Sequence, residues 1–210
     1  MNIIGDIAGN YKTLLALLKK MPDDIPIGLG DLNDRGPRSK EVFDFFMKTG
    51  KSILGNHEHM MLHHFLKSGY YPEDNWYSAW GHHTLLSFNS AKNMDLYIEW
   101  LKNLPLFIKT DELLLTHAPV AGEKDNFDDC LHFGKDYYSP ETFYSVIWNY
   151  YHPPKRKDQF QICGHLNQMK PLFFKDDEGD FGVCIDTSPA THLTGIHWPD
   201  KTIYQQAYID

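Results

Sequence analysis

Several things are missing from this sequence, and each absence narrows what it can be. It has no run of about 18 uninterrupted apolar residues, so nothing in it reads as a membrane-spanning helix. Cysteine is scarce. Cys130, Cys163 and Cys184 are odd in number, widely spaced and form no CxxC, and they read as reduced thiols of a cytosolic protein. Positive charge is in deficit: 20 Lys and Arg stand against 28 Asp and Glu, a net charge of −8. That balance argues against broad electrostatic binding to nucleic acid, though a local cationic site remains compatible with it. No basic n-region or cleavage site precedes the first apolar run, so the expectation is a cytoplasmic chain without a signal peptide. Internal repeats, low-complexity tracts and clear linkers are also lacking.

What is present is 210 residues, 42% of them hydrophobic, enough for one domain with a large core. Asn2-Ile3-Ile4 ends at Gly5-Asp6, and Asn10 can cap a helix over about 11–21 bearing Leu14, Leu17 and Leu18 on one face. The run Ile25 to Leu29 leads into Gly30-Asp31-Leu32-Asn33-Asp34-Arg35-Gly36. Ser39 can cap a second helix carrying Val42, Phe43, Phe46 and Met47, closed at Gly50. Ser52-Ile53-Leu54 ends at Gly55-Asn56-His57-Glu58, and a helix follows to about Lys67. This strand–loop–helix repetition predicts an α/β sheet with helices on its faces and functional residues in the loops beyond the strand ends.

Residues 70 to 95 interrupt the pattern with an aromatic, turn-rich patch, and a helix from Asp95 to about Leu104 completes an insertion at about 70–104. Leu113 to Thr116 then runs into His117, and Phe160 to Cys163 into Gly164-His165. Between them Ser139-Pro140 signals a helix to about Tyr151. Val183 to Asp186 and Leu193 to Ile196 look like closing strands, and Asp176 to Asp180 like a solvated hairpin turn.

Five apolar runs therefore end in Asp6, Asp31, Asn56, His117 and His165. Carboxylate, amide oxygen and imidazole together suit hard-to-borderline divalent cations. One aspartate can bridge two such ions, which clamp a phosphoryl group and acidify a water between them. Arg35 offers a planar positive fork for phosphate.

These ordered motifs resemble those of the calcineurin-like metallophosphoesterases, and within them the phosphoprotein phosphatase branch, the lambda-type phosphatases and their bacterial relatives above all. The resemblance extends to Asn103-Leu104-Pro105-Leu106, Val146-Ile147-Trp148-Asn149, Lys170-Pro171-Leu172 and Ile185-Asp186-Thr187, nearly the whole chain. It implies a central β-sandwich flanked by helices and a dinuclear centre. Manganese is the first expectation for the two ions, with iron, zinc, magnesium, nickel or cobalt as others. Asp6 and Asp31 would hold the first ion, and Asp31, Asn56, His117 and His165 the second. His57 would be the general acid, oriented by Asp34, while Arg35 and Asn56 would hold the phosphate. The implied nucleophile is a metal-bound hydroxide attacking phosphorus in line, and the implied partner a phosphorylated substrate.

Three departures stand out. Ala8 occupies the place of a metal-ligating histidine, so the first ion loses a partner and activity should be impaired. Its intact surroundings favour a deliberate His-to-Ala change over a natural loss. Tyr150, followed by Tyr151, stands where the lambda type has an arginine. Lys155 or Arg156 could supply the missing clamp, or Tyr150 could stack on a base. Leu166-Asn167 replaces the commoner Thr-Pro after the last histidine. The leading expectation is a phosphomonoesterase of the phosphoprotein-phosphatase type. The alternatives are a nucleotide-directed phosphoesterase, acting on a dinucleoside polyphosphate or on a nucleotide or RNA phosphate end, and an inactive binding variant. His59 and His63 have the i,i+4 spacing of a metal pair but are expected to flank the site entrance. His82-His83 could touch substrate or be structural. Trp76 and Trp80 are expected to pack, with stacking on substrate as the alternative.

Overall fold

Ile3 and Ile4 are neighbours in the first strand and bury toward opposite sides, and that alternation sets the architecture. The computed structural model describes residues 1–89, 94–120 and 146–210. Strand β1 (Asn2–Ile4) pairs in parallel with β2 (Pro26–Gly28), which pairs in parallel with β3 (Lys51–Ser52). On the other side of β1 lies the antiparallel β9 (His192–His197), followed by β10 (Thr202–Ala207), giving the order β10-β9-β1-β2-β3. The second sheet consists of β4 (Phe107–Lys109), β5 (Leu113–Thr116), β6 (Phe160–Cys163), β7 (Leu172–Asp176) and β8 (Gly179–Cys184), in the order β4-β5-β6-β8-β7.

The sheets face each other as a sandwich. Ile3, Ile27 and Ile196 of the first meet Leu113, Leu115, Ile162 and Val183 of the second in one apolar layer. Each of these side chains stabilises the fold by about 1.5–3 kcal/mol through removal from water. Ile4 turns the other way, onto Leu14 and Leu17 of α1 (Tyr11–Leu18) and Val42, Phe43 and Phe46 of α2 (Ser39–Lys48). Burial on both faces explains why these strands read as continuous apolar runs. The architecture is the expected α/β sandwich with flanking helices.

Two expected helix caps are replaced. Asn10 precedes α1, but its Nδ2 donates back to the carbonyls of Ile7 and Ala8, at 2.9 and 3.1 Å. The Asp210 carboxylate caps α1 instead, accepting the Lys12 and Thr13 N–H groups at 3.0 and 2.8 Å. Ser39 lies inside α2, whose N-cap is Arg38, and its Oγ accepts the Asp34 N–H at 3.1 Å. In both cases the side chain is drawn to the loop it can satisfy.

Helix α3 (Asn56–Leu66) begins after three residues that follow β3 and carries the Asn56 motif in its first turn. A π-type turn (Tyr77–Gly81), α4 (His82–Ser87) and α5 (Met94–Lys102) follow in the insertion. The β7–β8 hairpin turns at Asp176–Gly179 as its acidic composition predicts. Cys163 and Cys184 are buried free thiols. Cys130 and most of the helix expected after Ser139-Pro140 lie outside the described residues. Among the described residues no helix is long and apolar enough to cross a membrane.

Candidate metal centre

The parallel strands β1, β2, β5 and β6 all run toward one end of the sandwich, and their trailing loops bring the predicted ligands together there. Donor atoms of Asp6, Asp31 and His117 all lie within 4.8 Å of one another. Asn56 Oδ1 is 2.7 Å from His117 Nε2 and 3.2 Å from His165 Nδ1, and Asp31 Oδ1 is 3.4 Å from His117 Nε2. Small residues make this convergence possible. A Cβ on Gly30, which has φ 89°, would strike the backbone of Gly55, and one on Gly164 would strike Asp6 Oδ1. Asp31, Asp34, Arg35, His165 and Asn167 all have positive φ, between 47° and 68°. Such strain is typical of loops shaped for a site.

The donor set fits divalent cations. His117 Nδ1–H donates to the Leu29 carbonyl at 2.9 Å, which leaves Nε2, directed at the oxygens of Asn56 and Asp31, as the nitrogen available to a cation. A ligating imidazole is held in this way by its other nitrogen. With Nε2 deprotonated, three donor atoms face one point that a cation can occupy. His165 Nε2 is buried without a hydrogen-bond partner among the described residues. Burial, with Asp186 and Asp31 nearby, holds the Asp6 carboxyl well above the usual range. Burial acts on Asp31 in the same sense, but the His117 and His57 charges outweigh it and bring Asp31 down to about 2. Burial and the neighbouring His117 push His165 down to about 3.

Beside these ligands, His57 Nδ1–H donates to Asp34 Oδ2 at 2.6 Å, while His57 Nε2 lies 3.8 Å from Asp31 Oδ2. Asp34 is fully buried. It also accepts Thr84 Oγ1–H at 2.6 Å, Asn33 Nδ2–H at 3.0 Å and Trp76 Nε1–H at 3.1 Å. Burial raises Asp34, an effect partly offset by its bond to His57. For His57, burial is outweighed by the Asp31 charge and the Asp34 bond, which lift it to about 9.

Arg35, Tyr150, Trp148 and Asn167 line the mouth of the cavity, which has a volume of about 260 Å³. The exposed Tyr150 ring lies 4.5 Å from that of His165. Arg35 reaches Ser188 Oγ at 3.4 Å. Arg156 and Lys155 do not reach this wall. They line a separate depression with Asp176 and Glu178, and Lys155 pairs with Asp176 at 2.7 Å. The expectation that either replaces the absent arginine is corrected accordingly. Neither Trp80 nor His82 and His83 lines the cavity, and Trp76 is buried against Asp34.

Ala8 sits in the loop between Asp6 and Asn10 at φ 49°. Its N–H donates to the Asp31 carbonyl at 2.7 Å and its own carbonyl accepts the Gly36 N–H at 2.8 Å, tying the loop to the Asp31 turn. A left-handed alanine is unusual, and histidine tolerates that conformation better.

Two contributors lie within quoted motifs, though those motifs assign them no part in holding the site. Glu58 Oε2 accepts the Asp31 and Gly55 N–H groups at 2.9 and 2.8 Å, and Oε1 accepts the Leu32 N–H at 2.6 Å. Buried and close to Asp31, it is raised to about 7. Asp186 accepts the Asn167 N–H at 2.8 Å.

The calcineurin-like phosphoesterase family model matches residues 2–178. A symmetrical bis(5'-nucleosyl)-tetraphosphatase of Nitrosococcus oceani is 34% identical over 209 residues, covering 91% of this chain and 72% of that protein. One from Coxiella burnetii is 33% identical over 138 residues, 62% of this chain; the match spans 45% of the relative, less than half of its length. Among solved structures, one provisionally identified as a diadenosine tetraphosphatase superposes with a TM-score of 0.68 at 17% identity, covering 100% of this chain and 94% of that one. A serine/threonine phosphatase from Saccharomyces cerevisiae gives a TM-score of 0.68 at 14% identity, covering 100% and 80%. At such identities the solved structures establish a shared fold alone.

Proposed function

The chain belongs to the calcineurin-like phosphoesterase family, and on that premise we propose that it is a metal-dependent hydrolase of dinucleoside polyphosphates, cleaving a phosphoanhydride of the bridging chain. The observation that carries this reading is the likeness to the Nitrosococcus symmetrical bis(5'-nucleosyl)-tetraphosphatase across 91% of the chain. It takes precedence over the phosphoprotein substrate suggested by the lambda-type resemblance. Tyr150 supports it, because an exposed aromatic ring at the cavity mouth can stack on a base where an arginine would only clamp phosphate.

In this reading Asp6 and Asp31 hold one divalent ion, and Asp31, Asn56, His117 and His165 the other, with manganese as the proposed pair. When bound, the ions supply charge neutralisation on the phosphate oxygens and an acidified water. Arg35 takes a further phosphate through its guanidinium fork. His57 holds its proton at Nε2 and delivers it to the leaving phosphate oxygen. Asp34 fixes that ring through Nδ1–H and stabilises its charge, as the 2.6 Å contact allows.

The test is kinetic. With Mn²⁺ present, kcat/KM is measured on diadenosine tetraphosphate, a phosphopeptide and ATP, with products resolved chromatographically. The dinucleotide should be preferred and nucleoside diphosphate should be the nucleotide product, as symmetrical cleavage requires. Preference for the phosphopeptide would overturn the proposal. Running Ala8→His in parallel separates a weak first ion site from a wrong substrate.

A further inference from the structure

Helix α3 carries a second set of converging imidazoles that the hydrolytic centre does not use. His59 and His63 stand one turn apart with ring centroids 4.3 Å apart, and their Nε2 atoms are separated by 3.1 Å. Each Nδ1 faces a hydroxyl. His59 Nδ1 lies 3.0 Å from Tyr71 Oη, and His63 Nδ1 contacts Ser68 Oγ. Tyr71 Oη also accepts Trp148 Nε1–H at 3.0 Å.

The hydroxyl partners matter because each can accept a hydrogen bond from an Nδ1–H. Both Nε2 atoms then present lone pairs to the same point. That is the pattern of ligating histidines, whose non-ligating nitrogen donates to a neighbouring acceptor. The separation fits as well. Two imidazole nitrogens about 2.0–2.1 Å from a single ion stand roughly 2.9 to 3.4 Å apart at octahedral or tetrahedral angles, and 3.1 Å falls within that span. Neutral rings are what a cation needs, and burial keeps both rings on the neutral side.

Access is available from a cavity of about 450 Å³ that His63 lines with His64, Tyr71 and Glu73. Met60 is the one residue this cavity shares with the hydrolytic cavity among the described residues. Water from it can fill the remaining coordination positions. A pair of imidazoles favours borderline transition-metal ions over Mg²⁺ or Ca²⁺, which require oxygen donors.

We propose that His59 and His63 form a two-histidine site for one borderline divalent transition-metal ion, such as Zn²⁺, Ni²⁺ or Cu²⁺, separate from the hydrolytic centre. Binding there fixes both imidazole tautomers and tethers α3, through Tyr71, to Trp148 on the wall of the hydrolytic cavity. The competing arrangement is a single proton shared between the two Nε2 atoms.

The experiment strips the full chain with a chelator, dialyses it against Zn²⁺ and counts bound zinc per chain. Wild type should retain one equivalent more than His63→Gln or His59→Gln, with far-ultraviolet circular dichroism unchanged in each variant. Equal stoichiometry in all three overturns the proposal. Should either variant misfold, wild-type crystals grown with Zn²⁺ decide the matter through anomalous scattering at the zinc edge. A peak bonded to both Nε2 atoms supports the site, and a map without one there overturns it. Mg²⁺ in place of Zn²⁺ should leave wild type and variants alike.

Discussion

His57 Nδ1 and Asp34 Oδ2 lie 2.6 Å apart with both groups buried, and the carboxylate is held by donors from outside its own motif. Trp76 and Thr84 of the insertion both donate to that carboxylate. The insertion therefore fixes the carboxylate that holds His57, and in the proposed scheme the 70–104 segment bears on the chemistry through packing and hydrogen bonding.

The first prediction concerns the proton on His57. In metal-free protein His57 should stay protonated through neutral pH and titrate near 9. A histidine raised on folding contributes stability that is complete below its unfolded value of about 6.5 and is lost as pH rises through about 9. Asp34→Asn removes an attraction that raises His57, so the titration should move to lower pH. Imidazole proton chemical shifts against pH read this directly. An unmoved His57 titration in Asp34→Asn would contradict the orienting role.

The second prediction uses the leaving group. His57→Ala should lower kcat by roughly 10²–10⁴-fold on a nucleotide phosphoanhydride, the usual worth of a positioned general acid. On p-nitrophenyl phosphate, whose leaving group needs little protonation, the loss should be distinctly smaller. Equal losses on the two substrates would remove His57 from that role.

The residues that converge at the candidate site were legible because strand ends, tight turns and potential metal donors leave local marks. Gly30-Asp31 and Gly164-His165 announce themselves by a glycine beside a potential donor, and the structure shows why, since a Cβ on either glycine meets backbone or carboxylate. The sandwich was legible through the resemblance; the periodicity alone indicated only an α/β sheet with helices. Trp76 and Thr84 were not legible as partners of Asp34, because the contacts reach across 42 and 50 residues to a segment without a regular period. Asp210 capping α1 is a contact across 198 residues and leaves no local pattern. Arg156 was misplaced because proximity in sequence to Tyr150 did not survive the course of the chain, which carries residues 155 and 156 to the β7–β8 hairpin.

The third prediction concerns Glu58. Its two oxygens receive three buried N–H groups from the turns that present Asp31 and Asn56. Glu58→Gln can keep one oxygen, but its amide nitrogen would then face an N–H donor. The cost should be about 1–3 kcal/mol, that of one unsatisfied buried group, visible as a lower midpoint in denaturant unfolding. Because Glu58 is raised to about 7, the folded state takes up a proton between the ordinary glutamate range and neutrality. Metal-free wild type should therefore lose stability as pH rises from about 4.5 to 7 through this group, and Glu58→Gln should lack that slope.

The last prediction turns on Ala8. Its backbone is held at φ 49° by bonds to Asp31 and Gly36, so a side chain there projects from a loop already tied to the bridging turn. Alanine supplies no donor atom, and in the proposed scheme this leaves the first ion to Asp6 and Asp31 alone. Ala8→His should fold at least as well, since histidine accepts positive φ more readily than alanine. It should also raise p-nitrophenyl phosphate turnover with Mn²⁺ by roughly ten-fold or more, the lower range of what even a supporting group contributes to a metal site. Metal content should rise in step, with the gain at the first ion position in an anomalous map. A folded Ala8→His protein with no gain in turnover or metal would instead favour a chain that binds its phosphorylated ligand without hydrolysing it, and His57 and Asp34 would then require a structural explanation.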